Sequence, residues 1–256
     1  MNPEPLTWPR DAICVRPSWL EARSIAAGIY RRACRVNFDA PGCCVLNLGR
    51  NIDSVGFRRL MVELKHEMAA IHEATTGNTL AYLSAARFDQ QETTRPHLDG
   101  GPDECLLMLG YEPSAIPSAL EIFDYARCAF DRGLSPDKFM AQHNPMFKAG
   151  YEILRPYSTV VPCFDRADYR IVCINNSCAA YSEAQPAWQG TLHKATIPAP
   201  DQSERRVINS TMIASVPVRT PDAIDDGELN DFVLTSVVRR KSYDRPHPRR
   251  RHITMG

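Results

Sequence analysis

The most informative segment of this chain is Arg95-Pro96-His97-Leu98-Asp99-Gly100-Gly101, because it places a histidine and a carboxylate two residues apart at the end of a predicted strand. Side chains alternate along a strand, so His97 and Asp99 point to the same side. A second histidine, His193, follows the turn Trp188-Gln189-Gly190 far downstream. Two histidines and one carboxylate on one face, with the opposite face open, predict a site for a ferrous ion.

Two arginines extend this pattern. Arg205 and Arg206 follow His193 at the start of a strong predicted strand, RVINSTMIAS. A guanidinium is permanently charged and matches a carboxylate in two-point contact, so one of the pair is a candidate for binding an acidic co-substrate. We favour Arg205 as the inward-facing residue, because the more apolar face of the strand would then pack outward on helices. If Arg206 points inward instead, the two faces exchange.

The order of predicted elements indicates a β structure braced by helices. Apolar residues recur at helical spacing after Pro17 and from about Ser54 to Thr75, with a short strand over Cys43–Leu48 between them. From residue 79 the period becomes that of strands. The predicted strands cover 79–85, 93–99, 105–111, 119–125, 153–161, 169–175, 190–195 and 205–216. An insert over about 126–150 looks helical or irregular, and residues 221–238 suit a closing helix.

We therefore expect a mainly β chain with flanking helices, folded as an antiparallel barrel or sandwich. The chain has neither a glycine-rich phosphate loop nor strand–helix alternation, which argues against a dinucleotide-binding fold. We expect one catalytic domain over residues 1–238, with a helical buttress (1–78), a β core (79–216) and a C-terminal helix (217–238). Residues 239–256 form a strongly basic tail that we expect to be flexible.

Composition places the chain among ordinary globular proteins. No segment is long and apolar enough to span a bilayer, and the start lacks the basic and apolar regions of a secretory signal. None of the nine cysteines forms a C-x-x-C motif, and most lie in apolar runs. We expect buried free thiols, a cytoplasmic location and no membrane partner.

In the order of its motifs, the chain resembles the Fe(II)- and 2-oxoglutarate-dependent dioxygenases over roughly residues 79–216. The resemblance implies the family fold, a double-stranded β-helix (a cupin-like jelly roll), here braced by the N-terminal helices. It implies His97, Asp99 and His193 as iron ligands, an arginine of the 205–206 pair on the distal carboxylate of 2-oxoglutarate, and no catalytic residue beyond the metal ligands. Two features depart from the family pattern: the interval between residues 97 and 193 is long, and the common R-x-S pairing is absent.

The resemblance also implies a reaction with O₂ in which 2-oxoglutarate is oxidatively decarboxylated and a substrate is hydroxylated. We expect a small-molecule substrate, such as an amino acid or a secondary metabolite, held by the 126–150 insert and Ala179–Ala187. One alternative is the same chemistry on a protein or nucleic acid, which only the basic tail supports. The other is a non-catalytic β-sandwich module that binds a metal or a ligand. The sequence indicates no oligomeric state.

Overall fold

The computed structural model describes residues 7–17 and 20–240. The helices of this part of the chain are α1 (Arg10–Ile13), α2 (Ala22–Ala33), α3 (Ser54–Thr76), α4 (Tyr125–Asp131), α5 (Pro136–Gln142), α6 (Lys148–Leu154) and α7 (Asp226–Leu234). The strands are β1 (Cys14–Val15), β2 (Cys43–Gly49), β3 (Asn78–Asp89), β4 (Cys105–Tyr111), β5 (Ala119–Phe123), β6 (Ser158–Val160), β7 (Tyr169–Asn175), β8 (Leu192–Thr196), β9 (Val207–Pro217) and β10 (Arg239–Arg240).

The strands form two sheets. The larger sheet has the order β1-β2-β7-β4-β9-β3-β10; its five inner strands pair antiparallel, and its two short edge strands pair parallel. The smaller sheet has the order β6-β5-β8 and is antiparallel. The segment that carries His97 runs along the outer edge of β8, joined to it by an isolated bridge. The strand predicted over 93–99 is therefore extended chain with one bridge.

Alternation along the inner strands of the larger sheet divides the core into two layers. On β7, Ile171 and Cys173 pack with the helices, whereas Val172 and Ile174 pack in the cluster between the two sheets. This is the two-residue period of a strand that is buried on both faces. The inner face of the smaller sheet is consequently covered by the larger sheet, and a side chain placed there enters the space between the sheets.

Helix α3 packs on the face of the larger sheet that is turned away from the smaller sheet. Asp53 caps its first turn by accepting a hydrogen bond from the backbone nitrogen of Gly56 at 2.7 Å. Gly77 ends it in the left-handed conformation with φ 77°. The predicted stripe is buried against the sheet and includes Phe57, Leu60, Met61, Leu64 and Met68. The helix predicted over Ser54–Thr75 is confirmed.

Several predicted boundaries differ from the structure. The strand predicted over 153–161 is reduced to β6, because α6 and a 3-10 turn at Arg155–Tyr157 occupy its first part. The closing helix predicted over 221–238 is the shorter α7, which a capping box between Asp225 and Glu228 begins at residue 226. Arg239–Arg240 pair with β3 as β10, so the expectation of a flexible tail is wrong for these two residues. Residues 241–256 lie outside the described part of the chain.

The cysteines depart from expectation at one pair. Cys14 and Cys163 form a disulfide, with their Cα atoms 6.2 Å apart, so the expectation of free thiols is wrong for these two. Cys34, Cys43, Cys44, Cys128 and Cys173 are free thiols, and all five are buried. Burial raises the pKa of Cys44 to about 12, which keeps this thiol protonated and unreactive at neutral pH. Among the described residues, no helix combines the length and apolar character needed to cross a bilayer.

Helix α3 packs closely against the larger sheet over Gly110. A Cβ added there would lie 2.5 Å from Met61 Sδ and 2.8 Å from Phe57 Cε1. We predict that Gly110→Ala lowers the free energy of unfolding by about 1–3 kcal/mol, because overpacking outweighs the gain of roughly 0.5–1 kcal/mol from removing a strand glycine.

Urea denaturation at constant m-value measures this change. The control is Gly28→Ala in α2, where the added Cβ would meet only the flexible Arg32 side chain at 3.4 Å. This variant should be as stable as the wild type or slightly more stable. Equal stability of the two variants would contradict the proposed close contact.

Candidate metal centre

The structure brings His97, Asp99 and His193 together. One potential ligand atom from each residue lies within 4.8 Å of the other two. The two imidazole centroids are 4.3 Å apart, and His97 Nε2 lies 3.6 Å from Asp99 Oδ1. Three donors on one face of an octahedron, each about 2.0–2.2 Å from the metal, lie about 3 Å from one another. The His97–Asp99 separation is already near this value, and the longest separation in the cluster would have to shorten by more than about 1 Å for all three to bind one ion.

The β-bridge between His97 and His193 produces this convergence. The backbone nitrogen of each histidine donates to the carbonyl oxygen of the other at 3.1 Å. Residues directly opposite each other in an antiparallel pair present their side chains on the same face. Asp99 lies two residues after His97 and returns to that face as the chain leaves the bridge. The spacing His-x-Asp and one cross-strand pairing thus suffice to assemble the cluster.

The tautomer of His97 suits a metal ligand. His97 Nδ1 lies 2.7 Å from the carbonyl oxygen of Arg95, and a carbonyl oxygen can only accept. Nδ1 therefore carries the proton, and in the neutral ring Nε2 keeps its lone pair. A backbone carbonyl in this role is a common outer partner of metal-binding histidines, because it fixes both the tautomer and the ring orientation.

Asn176 holds the backbone of Asp99. The Asp99 nitrogen donates to Asn176 Oδ1 at 2.9 Å, and Asn176 Nδ2 donates to the Asp99 carbonyl oxygen at 2.9 Å. Asn176 is buried and directly follows β7. The larger sheet therefore positions the carboxylate, while the smaller sheet positions the two histidines. Asn176 could not be predicted from the sequence, since nothing near it along the chain marks it as a partner of Asp99.

The cluster lines a small cavity of about 40 Å³ between the two sheets. His193 is buried, whereas the His97 and Asp99 side chains are 28% and 30% exposed. The opening therefore lies on the side of His97 and Asp99. The remaining lining residues are Phe88, Gln90, Thr94, Leu109, Tyr111, Ala195, Arg206, Ile208 and Ser210.

Of the two candidate arginines, Arg206 lines this cavity and Arg205 is exposed. Arg206 Nη1 donates to Gln90 Oε1 at 2.7 Å and to the Gln90 carbonyl oxygen at 3.1 Å. The expectation that Arg205 faces inward is therefore wrong. The face of β9 toward α3 is polar, since Asn209 Nδ2 donates to the buried Glu112 carboxylate at 3.0 Å. The premise that the more apolar face meets the helices fails for this reason.

A row of large polar side chains crosses the larger sheet at the Arg206 end of the cavity. Tyr111 on β4 is paired with Arg170 on β7. The guanidinium carbon of Arg170 lies 5.6 Å from the centroid of the Tyr111 ring, and that of Arg206 lies 5.0 Å from it. Burial is the main cause that raises the pKa of Tyr111, so its hydroxyl stays protonated at neutral pH. Burial lowers the pKa of Arg170 to about 10, which leaves it charged. This end of the cavity is therefore electropositive.

Comparison with known proteins identifies no close relative. No family model matches the chain, and no curated protein matches it. One similar solved structure is the non-heme alpha-ketoglutarate-dependent epimerase SnoN from nogalamycin biosynthesis, at 14% identity and a TM-score of 0.40, covering 80% of this chain and 94% of that one. Another is a variant of the iron and alpha-ketoglutarate-dependent endoperoxidase NvfI, at 12% identity and a TM-score of 0.36, covering 73% and 81%. Similarity is low in both cases, so the assignment below depends on the residues of this chain.

The hydrogen bonds of Asn176 lead to a prediction about metal affinity. We expect Asn176→Leu to weaken Mn(II) binding by about 10–100-fold, because Asp99 loses the partner that fixes its backbone. Titration followed by electron paramagnetic resonance measures this affinity. Asn47→Leu is the control: Asn47 is also buried, but its amide donates to Asp168 at 2.9 Å on another part of the sheet. Unchanged Mn(II) affinity in Asn176→Leu would contradict the positioning role.

Proposed function

We propose that this protein is a non-haem Fe(II)- and 2-oxoglutarate-dependent oxygenase that hydroxylates a small molecule. One observation carries the proposal: His97, Asp99 and His193 converge on the wall of a cavity whose lining also includes a buried arginine, Arg206. Three protein donors leave about half of an octahedral coordination sphere open, which suits an oxygenase. A structural zinc site would close its sphere with four protein ligands.

The proposed fold is a double-stranded β-helix of the jelly-roll type. Between β3 and β9 the chain passes back and forth between the two sheets. The core of the larger sheet has the strand order β3-β9-β4-β7. The smaller sheet has the order β8-β5-β6, with the segment that carries His97 beside β8. Two facing antiparallel four-stranded sheets with long crossing connections are the arrangement of a jelly roll. The outer strands β1, β2 and β10 extend the larger sheet beyond this core.

In the proposed reaction, R–H, 2-oxoglutarate and O₂ yield R–OH, succinate and CO₂. Fe(II) held by His97 Nε2, an Asp99 oxygen and a His193 ring nitrogen would supply the oxidising chemistry. Arg206 would bind the distal carboxylate of the co-substrate, with its guanidinium oriented by Gln90. The neutral Tyr111 hydroxyl would donate beside it. Leu109 and Ile208 line the cavity and would exclude water from the reacting groups.

The alternatives from the sequence are less well supported. A protein or nucleic-acid substrate depends on the basic tail, of which only Arg239 and Arg240 fall among the described residues. A binding module without catalysis does not account for an open three-donor cluster that shares a cavity with a buried arginine. We retain the catalytic domain over residues 1–238, the cytoplasmic location and the small-molecule partner as predictions.

Succinate release tests the proposal. Purified protein given Fe(II), 2-oxoglutarate and O₂ should release succinate slowly even without substrate. His97→Ala and Asp99→Ala should abolish this release, since each removes one of three ligands. His143→Ala should retain it, because His143 lies outside the cluster. Absence of succinate in the wild type would favour the binding module, and full release from His97→Ala would remove the ligand assignment.

Substitution of Arg206 and substitution of Arg205 should have different effects on the concentration of 2-oxoglutarate that the reaction requires. We expect Arg206→Met to raise the 2-oxoglutarate concentration for half-maximal succinate release by about 10–100-fold, as for a lost charged hydrogen bond of roughly 1.5–3 kcal/mol. Arg205→Met removes the same charge at an exposed position and should have little effect. The reverse ranking would mean that Arg205 binds the co-substrate.

A further inference from the structure

Arg170 is a buried cation that forms no ion pair with the described residues. It lies on β7, on the face of the larger sheet that is turned toward the smaller sheet, and is only 2% exposed. Its Nε and Nη1 are buried and have no hydrogen-bond partner in the described part of the chain. The carboxylate of Asp168 instead accepts from Asn47 Nδ2 at 2.9 Å and from Arg16 Nη2 at 3.5 Å. Burying a charge in this way is costly, so we expect Arg170 to have a role beyond packing.

Two aromatic rings enclose the Arg170 guanidinium. Its central carbon lies 4.3 Å from the centroid of the Phe164 ring and 5.6 Å from that of the Tyr111 ring. The two rings meet edge to face, with their centroids 4.8 Å apart. Such stacking stabilises a guanidinium and does not neutralise it, because an aromatic ring carries no net charge. Arg170 therefore brings a positive charge into contact with Tyr111.

Tyr111 connects Arg170 to the metal cluster. Tyr111 and Arg206 both line the cavity that contains the cluster, whereas Arg170 does not line it. Strand β4, which carries Tyr111, runs between β7 and β9, and the guanidinium carbon of Arg206 lies 5.0 Å from the Tyr111 ring centroid. One guanidinium therefore faces the cavity and the other lies behind the ring. Because Arg170 Nε and Nη1 are shielded, Arg170 can act on a ligand in the cavity through Tyr111 but cannot use these atoms to contact it.

The charge of Arg170 affects the Tyr111 hydroxyl. Burial raises the pKa of Tyr111, and the charges of Arg206 and Arg170 oppose that rise. A nearby cation stabilises the phenolate form, and the same polarisation makes the neutral hydroxyl a stronger hydrogen-bond donor. The Tyr111 hydroxyl should therefore donate to an anion more strongly than a tyrosine that is buried among apolar residues alone.

We propose that Arg170 is a positioning residue for the distal carboxylate of the co-substrate and that it acts through Tyr111. Its guanidinium holds the Tyr111 ring and polarises the hydroxyl, which donates to the carboxylate that Arg206 binds. This inference rests on the proposed oxygenase function and deepens its co-substrate site. It gives the buried charge a counter-charge, because the co-substrate brings an anion to this end of the cavity. The site should therefore favour a dicarboxylate over a 2-oxo acid whose far end is uncharged.

Calorimetric titration of the full-length protein loaded with Mn(II) tests this role. The probes are 2-oxoglutarate and 2-oxopentanoate, which has a methyl group in place of the distal carboxylate. Arg170→Met should bind 2-oxoglutarate about 5–20-fold more weakly and 2-oxopentanoate within about twofold of the wild type, because only the former probe has a distal charge. Arg170→Lys keeps the charge and should bind 2-oxoglutarate within about threefold of the wild type. Arg50→Met is the control, since it removes the same charge from a side chain that is 72% exposed.

A double-mutant cycle with Tyr111→Phe tests whether the effect passes through the hydroxyl. In the Tyr111→Phe background, Arg170→Met should weaken 2-oxoglutarate binding by less than about twofold. In the succinate assay, Arg170→Met alone should raise the half-saturating concentration of 2-oxoglutarate and leave the maximal rate unchanged. A loss of structure would instead lower both the maximal rate and the affinity for both probes. If urea denaturation shows that Arg170→Met does not fold, Arg170→Gln, which also lacks the charge, takes its place.

The possible failures are distinguishable. Unchanged 2-oxoglutarate affinity in Arg170→Met, an equal loss for the two probes, or an undiminished loss in the Tyr111→Phe background would each overturn the role of Arg170 and leave the proposed function intact. Binding by Arg170→Lys as weak as that by Arg170→Met would overturn the role of the charge. A wild type that binds no Mn(II), or that binds Mn(II) but no 2-oxoglutarate, would overturn the proposed function and this inference with it.

Discussion

The candidate centre depends on two backbone hydrogen bonds, those exchanged between His97 and His193. They belong to no long ladder, yet they set two imidazoles from distant parts of the chain on one face of the smaller sheet. Thr94 adds one further backbone bond to the Ala195 carbonyl oxygen at 2.9 Å, one residue out of step with the His97–His193 pairing. Because side chains alternate, a slip of one residue would turn one imidazole to the opposite face. The register of this short edge is thus a stronger constraint on the chemistry than the identity of any neighbouring side chain.

The interior between the sheets is divided by polarity. Apolar residues from both sheets fill most of it, whereas Arg206, Tyr111 and Arg170 form a polar row at one end. Buried charges are costly unless they are paired or stacked. Arg206 is bonded to Gln90, and Arg170 stacks on Phe164 with its guanidinium carbon 4.3 Å from the ring centroid. Retaining two charges in this place is consistent with binding an anion there.

Features that depend on local pattern could be predicted from the sequence. The stripe of α3 follows from its helical period, the strands β4 and β7 follow from short apolar runs bounded by turn residues, and the His-x-Asp spacing identified the two members of the cluster that lie on one segment. His193 was found because a glycine turn precedes it. In each case the signal lies within a few neighbouring residues, where propensity and alternation act directly.

Features that depend on contacts between distant segments could not be predicted in this way. The choice between Arg205 and Arg206 depends on what α3 presents to β9, and there a buried network around Glu112 reverses the expected polarity. Asn176 reaches Asp99 from another sheet, and the cysteines of the disulfide are 149 residues apart. The first part of the strand predicted over 153–161 is instead the end of α6 and a 3-10 turn, since a short apolar run fits a helix as well as a strand.

The Cys14–Cys163 disulfide has a consequence for the electropositive end of the interior. It joins β1 to the loop that carries Phe164, the residue stacked on Arg170, and Trp8 packs beside it. Strand β1 is thus attached covalently to the loop that covers Arg170. Without this covalent attachment, water would more easily reach the Arg170 guanidinium, and the higher dielectric constant would weaken the electrostatic interactions of that group.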